Sequence, residues 1–336
     1  MKKHIKKILF ALLFLSAGFV IGWLLMKDGV DEQKDRDIKN THQIRQREGY
    51  QFINPLYECE VNGEDYLKKY IPFEDSIKER VANEVQSDDI KLAIYFRNLN
   101  DGPWFGINEG SDFAPASLLK VPLMVAYLKK SESNPGILSS SLTFYREQDN
   151  EIFNAMQQIV PEQKLESGKS YTVEELIQRM IIYSDNESMV LLMDHFPSGE
   201  LFKIYNDLGV KNPYGKDQTD VLSVKDYASF FRILYNAAYL SKDDSEKALN
   251  LLAQPDFKDG IVAGIPAGIV ISHKFGERQT ADEQYKNQLH DCGIVYYTKY
   301  PYLLCIMTKG NDSEKQTRAL KDISRITFEE ISKNYP

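Results

Sequence analysis

The sequence predicts an α/β chain of the α+β kind: a five-stranded antiparallel sheet flanked by terminal helices, with an all-helical subdomain inserted between its strands. Three observations predict it. Strand signals fall at both ends of the folded region, helical periodicity fills the middle from about 126 to 260, and amphipathic helices open and close the region.

Taken in order, residues 73–86 repeat at helical spacing, with Ile77, Val81 and Val85 on one face. Residues 91–99 alternate as a strand, Asn100-Asp101-Gly102 is a turn signal, and 104–107 reads as the returning strand. The run Ala116-Ser117-Leu118-Leu119-Lys120-Val121-Pro122-Leu123-Met124 is almost wholly apolar, so its helix is expected to be buried nearly all round. Helices follow over 173–183, 187–195, 199–208, 224–240 and 245–252. Strands return at 268–274, 293–297 and 302–307, and an amphipathic helix over 314–331 closes the chain. A site is expected in the cleft between the two halves.

The 336 residues, 43% hydrophobic and 27% charged, suffice for one large domain or two small ones with ample core. A net charge of -8 argues against nucleic acid as a partner, and no phosphate-binding glycine loop follows a strand. The five histidines are scattered without metal-ligand spacing, so neither a metal nor a cofactor is expected. Cys292 and Cys305 fall on two runs that read as a hairpin, with Cys59 far upstream. One disulfide plus a free thiol, or three thiols, both fit.

Residues 8–26 form an unbroken apolar run long enough to span a bilayer, preceded by Lys2, Lys3, Lys6 and Lys7. No small-residue cleavage site follows it. The expectation is a cytoplasmic tail (1–7), a single-pass anchor in the cytoplasmic membrane (8–26), a charged stalk and irregular lead-in (27–71), and a monomeric extracytoplasmic domain (72–336).

Ser117 and Lys120, three apart on a helix, share one face. Burial disfavours a lysine's charged form and suits it to deprotonate a neighbouring hydroxyl, which activates a nucleophile without histidine. Ser184-Asp185-Asn186 lies between two predicted helices, and His273-Lys274-Phe275-Gly276-Glu277 ends a predicted strand, with Gly276 as its terminator. Each signal alone is ordinary. In this order, Ser-x-x-Lys, Ser-Asp-Asn and Lys-x-Gly resemble the motif set of the class A β-lactamase family of penicillin-recognising serine hydrolases. The resemblance runs from about 73 to the C-terminus, and the inferred element order agrees with the β-lactamase/transpeptidase-like fold.

That resemblance implies roles. Ser117 would be the acylated nucleophile, exposed at a helix N-terminus, and Lys120 would take its proton. Ser184 would relay a proton to the leaving nitrogen. Asn186 would hold the substrate's amide side chain, and Lys274 would face its carboxylate. The backbone N–H groups of Ser117 and Glu277 would form the oxyanion hole.

Two departures stand out. The family's third motif carries threonine or serine at its middle position, for the substrate carboxylate; here it is Phe275, and Arg278 or His290 could compensate. The family also carries a deacylating glutamate about three dozen residues after Ser-Asp-Asn. Here the connection 210–222 is short and holds only Asp217 and Asp220 as acids. The implied function is a β-lactamase-type serine hydrolase that opens a β-lactam through an acyl-enzyme on Ser117, slowly without the glutamate. The alternatives are a membrane-anchored D-Ala-D-Ala peptidase or amidase acting on peptidoglycan stem peptides, and a non-catalytic penicillin- or peptidoglycan-binding protein.

Overall fold

The computed structural model describes residues 43–45, 47, 49–59, 71–85, 87, 89–100, 102–145, 164–213, 220–280, 282, 284–298 and 300–334. The expected tail and anchor, most of the stalk, and Asp217 lie outside them. Among the described residues no helix is long and apolar enough to cross a membrane. Two units separate: residues 1–44 with 57–71, and residues 45–56 with 72–336.

The helix α1 (Ile71–Glu84) precedes strands β1 (Ile90–Asn98) and β2 (Trp104–Ile107). Helices α2 (Lys120–Ser133), α3 (Val173–Ile182), α4 (Asn186–His195), α5 (Ser198–Asp207), α6 (Val224–Tyr235) and α7 (Lys242–Leu252) follow. Strands β3 (Ile271–Gln279), β4 (Asn287–Val295) and β5 (Tyr302–Gly310) and helix α8 (Ser313–Asn334) complete the unit. The sheet order is β2-β1-β5-β4-β3, antiparallel throughout, so β3 is an edge strand. Two short strand pairs, Asp112–Phe113 with Leu222–Ser223 and Ser141–Thr143 with Ser170–Thr172, stitch the part expected to be all helical.

Side-chain alternation sorts the sheet into two cores. Leu92, Ile94, Phe96, Leu289, Leu304 and Ile306 pack on α1 and α8. Ala93, Tyr95, Ile294, Leu303 and Met307 face the helical block. Both faces are covered, which is why β5 reads as a near-continuous apolar run, Tyr302 to Met307, rather than as an alternating one.

Helix α2 is the axis of the helical block. Its first nine residues, Lys120 to Leu128, are all buried, as the apolar run predicts. Pro122 is tolerated because it lies in the first turn, where the missing N–H costs no helical bond. Cys292 and Cys305 oppose each other across the β4–β5 ladder and are joined as a disulfide.

Candidate active site

The serine–lysine spacing is built differently from the expected single helix. Ser117 lies in a 3-10 turn, Ala116–Leu119, and α2 begins at Lys120. Residues three apart eclipse in such a turn, which brings the two side chains together more directly than an α-helix would. Ala116 takes a left-handed φ of 52° to enter the turn. Ser117 is 8% exposed, so the expectation of an exposed nucleophile is corrected: the strands beside it cover it.

The Ser184-Asp185-Asn186 segment is the joint between α3 and α4. A capping box of Thr172 and Glu175 fixes the start of α3. Asp185 then caps α4, accepting from the Glu187 N–H at 3.0 Å, the Ser188 hydroxyl at 2.7 Å and Arg179 Nε at 3.1 Å. With Asp185 so held, Ser184 adopts φ 54°, a strained conformation that turns it inward, and it is fully buried.

Lys120 Nζ is the meeting point of these segments. It lies 2.9 Å from Ser117 Oγ, 3.0 Å from Ser184 Oγ, 2.6 Å from the Ser184 carbonyl and 2.7 Å from Asn186 Oδ1. Lys274 Nζ, arriving from β3, donates to Ser184 Oγ at 2.9 Å and to the Phe275 carbonyl at 3.0 Å. Burial holds the Lys120 amine well below its ordinary pKa, and the neighbouring Lys274 charge adds to this, against an opposing pull from Asp185. Burial also lowers Lys274, to about 7, with Asp291 opposing. Both amines are thus deprotonated more readily than an exposed lysine, Lys120 with the Lys274 charge against it. A neutral Lys120 amine can donate to the Ser184 carbonyl and Asn186 Oδ1 while its lone pair faces the Ser117 hydroxyl, the arrangement a base requires.

A family model described as "Beta-lactamase enzyme family" matches residues 75–331. The chain belongs to that family. Among solved structures it is similar to PBP-A (21% identity, 77% of this chain and 96% of that one, TM-score 0.64) and to a class A beta-lactamase from Mycobacterium abscessus (17%, 77% and 98%, 0.63). A PBP-A mutant described as an acyl-enzyme complex with penicillin G matches equally (22%, 78% and 97%, 0.64). No curated protein sequence gives a significant match. The fold is that of the class A β-lactamases and PBP-A.

Within this family fold, Gly276 does not end its strand; β3 continues to Gln279. Its role is close approach. A β-carbon there would lie 2.9 Å from the Pro115 carbonyl and 2.9 Å from Leu118 Cγ, so only glycine lets β3 lie against the Ser117 turn. Phe275 is 2% exposed and its ring stacks on Phe257 at 4.4 Å. It offers no hydroxyl, but its ring centroid is 4.1 Å from Lys274 Nζ, a cation–π contact that favours the charged lysine.

Of the two residues considered for compensation, His290 is excluded from contact with a substrate and Arg278 is not. His290 is fully buried; its Nδ1 accepts from the Thr308 N–H at 3.2 Å and its Nε2 donates to the Ala114 carbonyl at 2.8 Å. It braces the segment leading into the Ser117 turn. Arg278, on the same strand face as Lys274 and Gly276, is half-exposed and forms an ion pair with Asp220. Asp291, which accepts from His273 Nδ1 at 2.9 Å and from the Ile261 N–H at 2.9 Å, was not singled out from sequence. The signal was present in the sequence: Asp291 follows His290 and directly precedes the apolar run Cys292-Gly293-Ile294-Val295.

His290 makes acid stability testable. Burial lowers its pKa to about 4 against 6.5 in the unfolded chain, so between these values only the unfolded state binds the proton. Stability therefore falls as pH drops from about 6.5 to 4, by roughly 3 kcal/mol in total. Denaturant midpoints of wild type and His290→Gln, compared at pH 7 and 4.5, are expected to converge toward acid; parallel loss in both proteins would show that His290 is not the group responsible.

Proposed function

We propose that this protein is a β-lactam-reactive serine hydrolase that acylates Ser117 readily and releases the acyl group slowly. The observation that carries the reading is the 2.9 Å contact between Ser117 Oγ and an amine that burial keeps neutral. In acylation the Ser117 hydroxyl proton passes to Lys120 Nζ as Oγ bonds to the lactam carbonyl carbon. The C–N bond then breaks, and the nitrogen takes the Ser184 hydroxyl proton, which the neighbouring lysines replace. Lys274 would attract the substrate carboxylate, Asn186 would hold the amide side chain, and the backbone N–H groups of Ser117 and Glu277 would hold the oxyanion. Hydrolysis of the ester needs an activated water. Among the described residues no carboxylate hydrogen-bonds Ser117, and Asp220 is committed to Arg278.

The missing base also favours a second reading, a D-Ala-D-Ala-type peptidase or amidase on peptidoglycan, for which fast release of a β-lactam acyl group is not required. The apolar run at 8–26 supports a membrane-anchored domain on the extracytoplasmic side.

Full-length protein mixed with a fluorescent penicillin is expected to label stoichiometrically at Ser117, with Ser117→Ala blank and chromogenic cephalosporin turnover slow. Rapid steady turnover would remove the slow-release reading, and absence of labelling would remove acylation. The labelling rate should fall as pH rises through about 7, because Lys274 is charged below that value and loses its charge above it. A penicillin methyl ester, lacking the carboxylate, should show no such limb. Gly276→Ala, which pushes β3 off the Ser117 turn, is expected to slow labelling roughly 100-fold; an unchanged rate would show that the close approach is dispensable.

A further inference from the structure

At the edge of the sheet opposite Lys274, three cations gather without a matching anion. Lys274, Cys292, Cys305 and Tyr95 lie in one row across the ladder, so Tyr95 is three strand spacings, about 14 Å, from the catalytic lysine. Arg97 opposes Trp104 on this same face, and Tyr95 opposes Gly106, whose missing side chain makes room for Glu109. Helix α6 carries Lys225 and Arg232, two turns apart and so on one side of the helix, over this edge.

The contacts are specific. Arg97 Nη1 donates to the Tyr95 hydroxyl at 3.5 Å, and Arg232 lies against the same phenol with its Nε buried and unpartnered. Burial lowers the Arg232 pKa, and the charge of Arg97 adds to this. Lys225 Nζ stands 4.5 Å over the Trp104 ring, which in turn stacks on Tyr95 at 5.5 Å. Glu109 folds across Gly106, but among the described residues none of the three cations is in an ion pair. One carboxylate against three cations leaves the cluster net positive.

We propose that Arg97, Arg232 and Lys225 form an oxyanion-binding site for a phosphate or carboxylate group, separate from the catalytic cleft. Guanidinium forks match the oxygens of either group, and a bound anion would satisfy the buried Arg232 Nε and cancel the repulsion. Tyr95 fixes where the two guanidiniums converge, and the Trp104 ring, stacked on Tyr95, holds Lys225 at the edge of the cluster.

The test is thermal unfolding of the full-length protein in chloride, inorganic phosphate, acetate or polyphosphate at matched ionic strength. Phosphate or acetate is expected to raise Tm by about 2 °C over chloride, as a ligand selective for the folded state does. The more effective of the two identifies the group, and a larger shift with polyphosphate identifies a polymer-borne phosphate. The shift should vanish in Arg232→Gln and Arg97→Gln. Lys225→Gln, at an exposed helix position that leaves folding intact, should weaken binding several-fold by titration calorimetry. In chloride alone Arg97→Gln should raise Tm by relieving repulsion, an effect that a merely structural arginine would not produce. Equal shifts in wild type and Arg232→Gln, no shift with any oxyanion, or a lower chloride Tm for Arg97→Gln would each overturn the proposal.

Discussion

The fully buried amine of Lys120 is the constraint on which the rest of the structure depends. A lysine enters a protein interior only where its amine finds partners, and a neutral amine accepts one hydrogen bond and donates two. The partners here come from two places in the chain, the turn that opens α2 and the joint between α3 and α4. Each must be held from outside. The Thr172–Glu175 capping box sets α3, Asp185 fixes the joint, and the strained φ of Ser184 follows from the requirement that both its oxygens face Lys120. The strain is local, and the cap of α4 and its contacts offset it.

The second amine explains why the first is a base. Two lysines converge on one hydroxyl, Ser184 Oγ, in a region that water does not reach. Both cannot hold a proton there without strong repulsion. Their environments then separate them. Lys274 has a carboxylate, Asp291, acting to raise its pKa, and the Phe275 ring against its ammonium. Lys120 has neutral acceptors, and its opposing charge, Asp185, is already committed to a helix cap and Arg179. Asp291 and the Phe275 ring thus favour charge on the sheet side, where a substrate carboxylate would meet it, and leave a Lys120 lone pair to face Ser117 on the helix side.

How much of this was legible in the sequence follows from range. The elements were legible because periodicity is local: the buried run from Lys120 to Leu128, the antiparallel hairpins and the closing helix all carry their own pattern. The motif residues Ser117, Lys120, Ser184, Asn186 and Lys274 were legible by order and type, and the fold brings them together. Other features are set by contacts between distant segments. The 3-10 turn at Ser117 depends on β3 crossing at Gly276, and that glycine reads as a strand terminator until Pro115 and Leu118 are seen against it. His290 reads as a spare imidazole until its hydrogen bond to the Ala114 carbonyl, 176 residues away, is in view.

Acylation and release make different physical demands, and this site answers them unequally. Acylation needs protons to move among fixed groups in a dry cluster, where each donor already stands within hydrogen-bond distance of its acceptor. Ser117, Lys120, Ser184 and Lys274 form such an unbroken chain. Release needs a water admitted to one face of the ester and a carboxylate poised to take its proton. The loop that would present one is short, and its described acid, Asp220, is turned toward Arg278 on the edge strand with a left-handed φ of 36°. The same arginine lies on the strand face shared with Lys274. An acyl group on Ser117 would thus meet an unbroken chain of proton donors and acceptors on one side and, among the described residues, no hydrogen-bonded carboxylate to activate a water.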